Sequence, residues 1–195
     1  LIISPHPDDG ILGAGATISR FIEEGKEIWY VILSWQGQGF NMAEVENAIL
    51  TLGIKRKNLI IFDYPVRQFN EHRQEILDNL IKLRTKITPE LVLCHSTDDK
   101  HQDHEIVRQE AFRAFRWGSI WGYELPWNTR YFKADIFVSL EKRNIDKKIK
   151  ALNCLQSQQS RRYYDPKRRE ANAVAMGEKI GVEYTEVFES ISQVL

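Results

Sequence analysis

The stretch Ile2-Ile3-Ser4-Pro5-His6-Pro7-Asp8-Asp9-Gly10 decides the expected fold of this chain. An apolar run ends at a proline, one histidine and two adjacent aspartates follow, and the next segment is rich in glycine. This pattern predicts a strand that stops abruptly and leads into a helix packed closely on a sheet. Because ligands of an open α/β sheet bind at the carboxyl ends of its strands, we interpret His6, Asp8 and Asp9 as half of a metal site.

The rest of the chain alternates between apolar segments typical of strands and amphipathic segments typical of helices. Strands are predicted at 1–5, 27–34, 58–63, 91–94 and 135–140, and helices at about 10–24, 42–52, 71–86, 105–115, 142–158 and 168–179. Loops are predicted at 35–39 and over most of 156–169, and an irregular aromatic segment at 117–129. This alternation predicts an α/β fold, a Rossmann-like, mostly parallel sheet with helices on both faces.

The composition bounds the class of protein. A length of 195 residues predicts one domain, 1–195, and 43% hydrophobic with 28% charged residues is usual for a soluble globular protein. The 27 basic and 27 acidic residues balance, which argues against a general nucleic-acid binder. We see no membrane span and no signal peptide, and therefore expect a cytoplasmic protein. Cys94 ends an apolar run and is predicted to be a small buried hydrophobic residue.

A second polar cluster follows the fourth predicted strand. His95, His101, Asp103 and His104 lie within ten residues, in a chain that has 5 histidines. A parallel sheet would bring this cluster beside the first one. A catalytic zinc commonly has three His or Asp/Glu ligands and keeps one position open. His6, one carboxylate and one downstream histidine would satisfy that count, and the second carboxylate could act as a general base.

Each cluster alone has a simpler interpretation. The run 6–9 could be a turn that caps a helix, and His101 with His104 could be a polar helix start. His72 is expected to be solvated, and His95 to be either a neighbour of the ligands or a plain loop residue. Because both clusters follow predicted strands, their combination favours the metal site.

The paired motifs resemble those of the PIG-L/LmbE family of zinc-dependent N-deacetylases. The resemblance rests on His6-Pro7-Asp8-Asp9 with its glycine-rich helix and on His101-Gln102-Asp103-His104. Weaker matches extend it over essentially the whole chain; they are Glu44–Ile54, Lys150–Gln158 and Glu183–Phe188. The chain departs from the family at Gly10, where an acidic or larger residue is common. It also has Asn41 and Met42 near the place where the family often carries an arginine thought to contact the substrate.

The resemblance implies a role for each residue of the two motifs. The implied metal ligands are His6, Asp9 and His104. They would bind Zn²⁺ or another divalent ion such as Fe²⁺. Asp8 would be the general base, His101 would stabilise the oxyanion or act as general acid, and Asp103 would orient or tune His101. The implied reaction removes the acetyl group from an N-acetylglucosamine-type sugar conjugate, a small-molecule partner, and releases acetate and a free amine.

Two other functions stay open: hydrolysis of a different amide on the same fold, and a nucleotide-binding α/β module. The second is disfavoured because the glycines at 10, 13 and 15 do not have G-x-G-x-x-G spacing. Trp35, Trp127 and Tyr123 are interpreted as packing residues or as platforms for a sugar ring. The basic segment Arg161–Arg169 could contact a phosphate or carboxylate of the substrate, but a solvated face is the favoured expectation. The sequence leaves a homo-oligomer, the metal and the aglycone open.

Overall fold

A computed structural model describes residues 1–35 and 39–194. Residues 36–38, which belong to the predicted loop 35–39, lie outside the described part, as does Leu195. The strands are β1 (Ile2–Ser4), β2 (Tyr30–Ile32), β3 (Leu59–Ile61), β4 (Leu91–His95), β5 (Ser119–Tyr123), β6 (Ile136–Leu140) and β7 (Tyr184–Ser192). The α-helices are α1 (Asp9–Glu23), α2 (Met42–Leu52), α3 (Arg73–Ile87), α4 (Gln102–Phe115), α5 (Lys142–Cys154) and α6 (Pro166–Gly177).

The strands form one sheet in the order β3-β2-β1-β4-β5-β7-β6. β1 pairs in parallel with β2 and with β4, and the parallel ladder continues outward to β3 and β5. β7 runs antiparallel to both β5 and β6. The predicted mostly parallel sheet is therefore confirmed, and its central pair, β1 and β4, joins the two segments that carry the polar motifs.

Helices cover both faces of the sheet, as predicted. Successive residues of β1 point to opposite faces, with Ile2 in one core and Ile3 in the other. The core that contains Ile2 is built with buried side chains of α1, α2 and α5, and the core that contains Ile3 with those of α3 and α4. Among the described residues, no helix has the length and apolar character needed to cross a membrane.

The structure differs from the sequence prediction at two strands. Residues 117–129 were expected to be irregular, yet Ser119–Tyr123 forms β5 between β4 and β7. Gly122 permits this placement, because a Cβ atom there would lie 2.8 Å from the Cα of Ser96. β7 was not predicted, and it pairs with strands that are distant in the chain. Such pairings depend on contacts across the fold, which the local pattern does not contain.

The segment after α5 also differs from its prediction as a loop. α5 ends at Cys154, and two short 3-10 helices follow, Gln156–Gln158 and Arg162–Tyr164. α6 then begins at Pro166, where Asp165 accepts a hydrogen bond from the backbone of Lys167. The 3-10 turn at Arg162–Tyr164 carries buried and half-buried aromatic rings to the carboxyl edge of the sheet.

Close packing holds α1 against the sheet and places its first turn at the end of β1. A Cβ atom on Gly13 would overlap the ring of Tyr123. A Cβ atom on Gly10 would lie 2.7 Å from Ile2 and from the hydroxyl of Tyr30. The glycine after the aspartate pair, where the family commonly has a larger residue, therefore matches the crowding around it here.

A buried ion pair braces the middle of α1. Nζ of Lys148 donates to the carbonyl of Leu12 over 2.6 Å and to Oε1 of Glu186 over 2.7 Å. The carboxylate of Glu186 in turn accepts from the backbone amides of Ala16 and Thr17. The pair thus links α5 and β7 to groups that would otherwise bond within α1, and so fixes the helix that begins at Asp9.

Candidate metal centre

The two polar motifs meet at the carboxyl ends of β1 and β4. Asp9 is the first residue of α1 and Asp8 is its N-cap. His101 is the N-cap of α4, and His104 lies in the first turn of that helix. Because β1 and β4 are hydrogen-bonded neighbours, the first turns of α1 and α4 face each other. The structure thus brings together all six residues that the sequence singled out.

Three donor atoms form a nearly regular triangle at this place. Nδ1 of His6 lies 3.1 Å from Oδ2 of Asp9, Oδ2 of Asp9 lies 3.3 Å from Nε2 of His104, and that nitrogen lies 3.2 Å from Nδ1 of His6. In a tetrahedral zinc site with bonds of about 2.0–2.1 Å, neighbouring ligand atoms are roughly 3.3 Å apart. Two imidazole nitrogens and one carboxylate oxygen at this spacing fit a divalent transition metal.

Both histidines of the triangle have a carboxylate on their second ring nitrogen. Nε2 of His6 lies 3.2 Å from Oδ2 of Asp103, and Nδ1 of His104 lies 2.9 Å from Oδ2 of Asp99. Such carboxylates fix the tautomer and the orientation of metal-binding histidines. The sequence interpretation missed Asp99, although its place five residues before His104 in a polar loop was a usable signal.

The position of Asp103 differs from the expectation that its side chain orients His101. Its carboxylate bonds His6 and also accepts from the backbone amide of Arg67 over 2.9 Å. His101 instead accepts a hydrogen bond from the backbone amide of Asp103 on Nδ1 over 3.2 Å. That contact leaves the proton of neutral His101 on Nε2, where it can be donated.

The charges of the triangle support one another. Burial alone would lower the pKa of His6, but the charge of Asp9 and the hydrogen bonds to Asp103 and Asp9 raise it to about 9. The pKa of His104 rises to about 10 for similar reasons, with Asp9 and Asp99 overcoming burial. Burial would raise the pKa of Asp9, yet the charges of His104 and His6 hold it well below its usual range. A cation is therefore strongly favoured beside the Asp9 carboxylate.

Asp8 lies outside the triangle and has its own partner. Its Oδ2 accepts a 2.7 Å hydrogen bond from the hydroxyl of Tyr164, which is buried in the 3-10 turn after α5. Burial and the neighbouring charge of Asp9 raise the pKa of the Asp8 carboxyl to about 6, against the lowering effect of Tyr164 and His6. The two adjacent aspartates thus occupy distinct environments, and the sequence contained no local signal for Tyr164.

His101 and His95 lie on either side of His104. The rings of His101 and His104 are stacked with centroids 4.2 Å apart, and those of His95 and His104 with centroids 3.7 Å apart. Burial, followed by the charges of His104 and His6, lowers the pKa of His101 to about 4. His95 is fully buried, its Nε2 lies 3.9 Å from Oδ2 of Asp9, and its ring nitrogens have no described hydrogen-bond partner. His95 is therefore a neighbour of the triangle and not a loop residue in solvent.

A cavity of about 100 Å³ opens above these groups. Its described lining consists of His6, Asp8, Asp9, His101, His104, Trp127, Asn128, Arg161 and Tyr163. A larger cavity of about 410 Å³ lies at the amino ends of β1 and β4 and contains none of the motif residues. The chemistry-bearing side chains and the small cavity coincide, which makes this edge of the sheet the candidate site.

The aromatic residues singled out by the sequence pack mainly against protein. Trp127 stacks on Tyr163 with ring centroids 4.1 Å apart and planes inclined by 13°, and the guanidinium of Arg169 also lies over the indole. Trp35 packs against the core formed with α1, α2 and α5. Packing is favoured for both tryptophans and for the fully buried Tyr123, and Trp127 also lines the cavity.

The basic segment is only partly the solvated face that was expected. Arg162, Lys167 and Arg168 are exposed, whereas Arg161 and Arg169 are half-buried. Arg161 lines the cavity above the triangle. The expectation of a uniformly solvated segment is therefore wrong for Arg161, because the turn at Arg162–Tyr164 folds back over the site.

The comparisons with known proteins identify a family that the chain matches. The profile of the PIG-L family, described as GlcNAc-PI de-N-acetylase, matches residues 1–115, which include both motifs. The chain is 29% identical over 161 residues to an uncharacterized deacetylase, YaiS, of Escherichia coli (strain K12). That alignment covers 78% of this chain and 87% of YaiS.

Solved structures share the fold over nearly the whole chain. The conserved protein TT1542 from Thermus thermophilus superimposes with a TM-score of 0.81 and 25% identity, over 100% of this chain and 94% of that one. The N,N'-diacetylchitobiose deacetylase from Pyrococcus horikoshii superimposes with a TM-score of 0.78 and 22% identity, over 96% of this chain and 81% of that one. GalB, the 4-carboxy-2-hydroxymuconate hydratase from Pseudomonas putida, superimposes with a TM-score of 0.78 and 21% identity, over 100% of this chain and 96% of that one. Because a hydratase shares this fold with a deacetylase, the fold alone does not choose the reaction.

Proposed function

The chain belongs to the PIG-L family, and on this premise we propose that it is a metal-dependent hydrolase that removes the acetyl group from an N-acetylglucosamine-type sugar conjugate. The observation that carries the proposal is the triangle of His6, Asp9 and His104, with sides of 3.1–3.3 Å. This donor set suits Zn²⁺, and Fe²⁺ accepts the same ligands. The predicted cytoplasmic location stays a prediction.

The three ligands would hold the ion at the floor of the cavity. A bound divalent ion would polarise the acetyl carbonyl and make water a stronger nucleophile at neutral pH. Asp103 and Asp99 would keep the rings of His6 and His104 in the orientation that the ion requires.

The alternative of a nucleotide-binding module is disfavoured, because carboxylates at the first turn of α1 would repel the pyrophosphate of a dinucleotide.

Asp8 would transfer protons in the reaction, and His101 would stabilise the developing negative charge. Asp8, oriented by Tyr164, takes a proton from the attacking water as the oxygen adds to the acetyl carbon. His101, with its proton on Nε2, donates a hydrogen bond to the oxygen that gains negative charge. When the carbon–nitrogen bond breaks, the proton held by Asp8 passes to the departing nitrogen. The products are acetate and a free amine.

The test combines metal analysis with a screen for acetate release. Purified protein is expected to retain close to one equivalent of Zn²⁺ or Fe²⁺ and to release acetate from at least one N-acetylated amino sugar. The panel also contains N-acetyl amides that are not sugars, which tests hydrolysis of a different amide. A protein that binds no divalent ion under any loading condition would exclude the proposal.

Two neighbouring substitutions make the test specific. Asp8→Asn is expected to lower turnover by roughly 10²–10⁴-fold while metal stays bound, because it removes the proton acceptor. Asp9→Asn is expected to lose the metal, because it removes a ligand charge. Both variants change one carboxylate to an amide at adjacent positions, so each serves as the control for the other. Equal metal loss in both would contradict the assignment of roles.

A further inference from the structure

Arg161 stands out among the residues around the cavity because its guanidinium forms no ion pair with a described carboxylate, although the charge of Asp8 acts on it. It is the one arginine or lysine in the described lining, which also contains the carboxylates of Asp8 and Asp9. Its side chain makes one hydrogen bond within the described part of the chain, from Nη1 to the hydroxyl of Tyr163 over 2.7 Å, and it forms no ion pair there. A guanidinium has five N–H donors, so most of them remain available to a bound molecule.

The surroundings of Arg161 hold it in place. The guanidinium lies over the ring of Tyr163, with 5.9 Å between its central carbon and the ring centroid, and Tyr163 stacks on Trp127. The next residue, Tyr164, donates to Asp8. One short segment therefore supplies both a partner for the proposed base and a cation a few residues away in the same cavity. A pre-positioned planar cation costs little to order when it binds a ligand.

We infer that Arg161 is a specificity-determining residue that binds an anionic group, a phosphate or a carboxylate, carried by the sugar conjugate. This inference rests on the proposed function, which supplies the reaction, and it adds that the substrate carries an anionic group. The guanidinium fork matches the oxygens of either anion in a bidentate contact. A cavity of about 100 Å³ accommodates little more than an acetamide group, so the anion would lie at the mouth, where Arg161 is half-exposed.

A different role for Arg161 would be to stabilise the ionised form of Asp8, since the charges of the two side chains interact. That role predicts an equal loss for neutral and anionic substrates when Arg161 is replaced. Binding of a substrate anion predicts a loss confined largely to anionic ligands. The two roles are therefore separated by comparing ligands and not by activity alone.

The experiment measures equilibrium binding of deacetylated sugars to the metal-loaded protein at constant ionic strength. Glucosamine 1-phosphate and glucosamine 6-phosphate test a phosphate, muramic acid tests a carboxylate, and glucosamine is the reference. At least one anionic ligand is expected to bind about 10-fold or more tightly than glucosamine. Arg161→Gln should lower the affinity for that ligand by roughly 10- to 100-fold. The affinity of Arg161→Lys should lie between those of the wild type and Arg161→Gln, because lysine keeps the charge but lacks the planar guanidinium.

The control is Arg162→Gln, which removes the same charge from the adjacent, exposed residue. It is expected to bind all four ligands as the wild type does. Equal metal content and equal circular dichroism spectra in the three variants exclude loss of the site. Equal affinity of all four ligands for the wild type would overturn the inference, and so would an anion preference that survives Arg161→Gln.

Turnover of the corresponding N-acetylated sugars separates this inference from the proposed reaction. If acetate is released from neutral and anionic sugars at equal kcat/KM and Arg161→Gln lowers both equally, deacetylation stands and the anion site is overturned. If anion binding depends on Arg161 while no acetylated sugar is hydrolysed, the anion site stands and deacetylation falls. The expected result is a loss of kcat/KM that is at least 10-fold larger for the anionic sugar.

Discussion

The hydroxyl of Tyr164 donates a 2.7 Å hydrogen bond to Oδ2 of Asp8, and both side chains are buried. The tyrosine comes from a 3-10 turn near the end of the chain, and the aspartate from the first loop. The contact gives the two adjacent carboxylates different partners, a phenol for Asp8 and a pair of imidazoles for Asp9. This difference provides a physical reason for one carboxylate to bind an ion while the other handles a proton.

Replacing Tyr164 tests that relationship. Tyr164→Phe is expected to lower kcat by about 10-fold, since Asp8 loses the hydrogen bond that orients it, and to leave metal content unchanged. Steady-state kinetics and metal analysis measure the two effects. The matched control is Tyr184→Phe, because that hydroxyl contacts Glu170 and not the site. A loss of metal in Tyr164→Phe, or no loss of kcat, would contradict the role assigned to Tyr164.

Asp99 provides a test of metal affinity that does not touch a proposed ligand. Its carboxylate lies 2.9 Å from Nδ1 of His104, so Asp99→Asn is expected to weaken divalent metal binding by roughly 10–100-fold. Competition with a chromogenic chelator measures the change. Asp98→Asn is the control, because the neighbouring aspartate pairs with Lys100 in solvent and should keep wild-type affinity. Similar affinities in both variants would mean that Asp99 does not act through His104.

The buried pair Lys148–Glu186 is expected to dominate the stability of the α1 region. Lys148→Met should lower the free energy of unfolding by about 3–5 kcal/mol, because it leaves a buried carboxylate without its cation. The double variant Lys148→Met/Glu186→Leu should recover much of that loss, because no buried charge remains and the amides of Ala16 and Thr17 can bond carbonyls within α1. Chemical denaturation followed by circular dichroism measures both. Lys142→Met, at an exposed pair with Asp146, is the control and should change stability far less.

The two cysteines should differ in reactivity. Burial raises the pKa of the Cys94 thiol to about 12, so at pH 8 only about one molecule in 10⁴ carries the thiolate that reacts. Cys154 is half-exposed. A disulfide reagent at pH 8 is therefore expected to modify one thiol in the native protein and two after unfolding. Cys154→Ser should abolish the native reaction, and fast labelling of Cys94 in that variant would contradict its burial.

Local patterns were sufficient for most of the architecture. The helix at Met42–Leu52 has the predicted bounds, because apolar residues at helical spacing are followed by Gly53, whose φ of 98° ends the helix. The strands β1 to β4 were predicted for the same kind of reason, as short apolar runs between turn residues. β5 and β7 were not, because aromatic and mixed sequences become strands only when neighbouring strands supply the hydrogen bonds.

The candidate site divides in the same way. The sequence by itself determined which polar side chains gather at the candidate site, since the motifs at residues 6–9 and 101–104 each follow a strand and parallel strands end at one edge. Only the tertiary structure decided their partners: Asp99 behind His104, Asp103 behind His6, Tyr164 on Asp8, and Arg161 over the cavity. Those contacts join residues through turns whose direction depends on packing. Spacing along the chain predicts which groups gather at a strand end, but not which atoms touch.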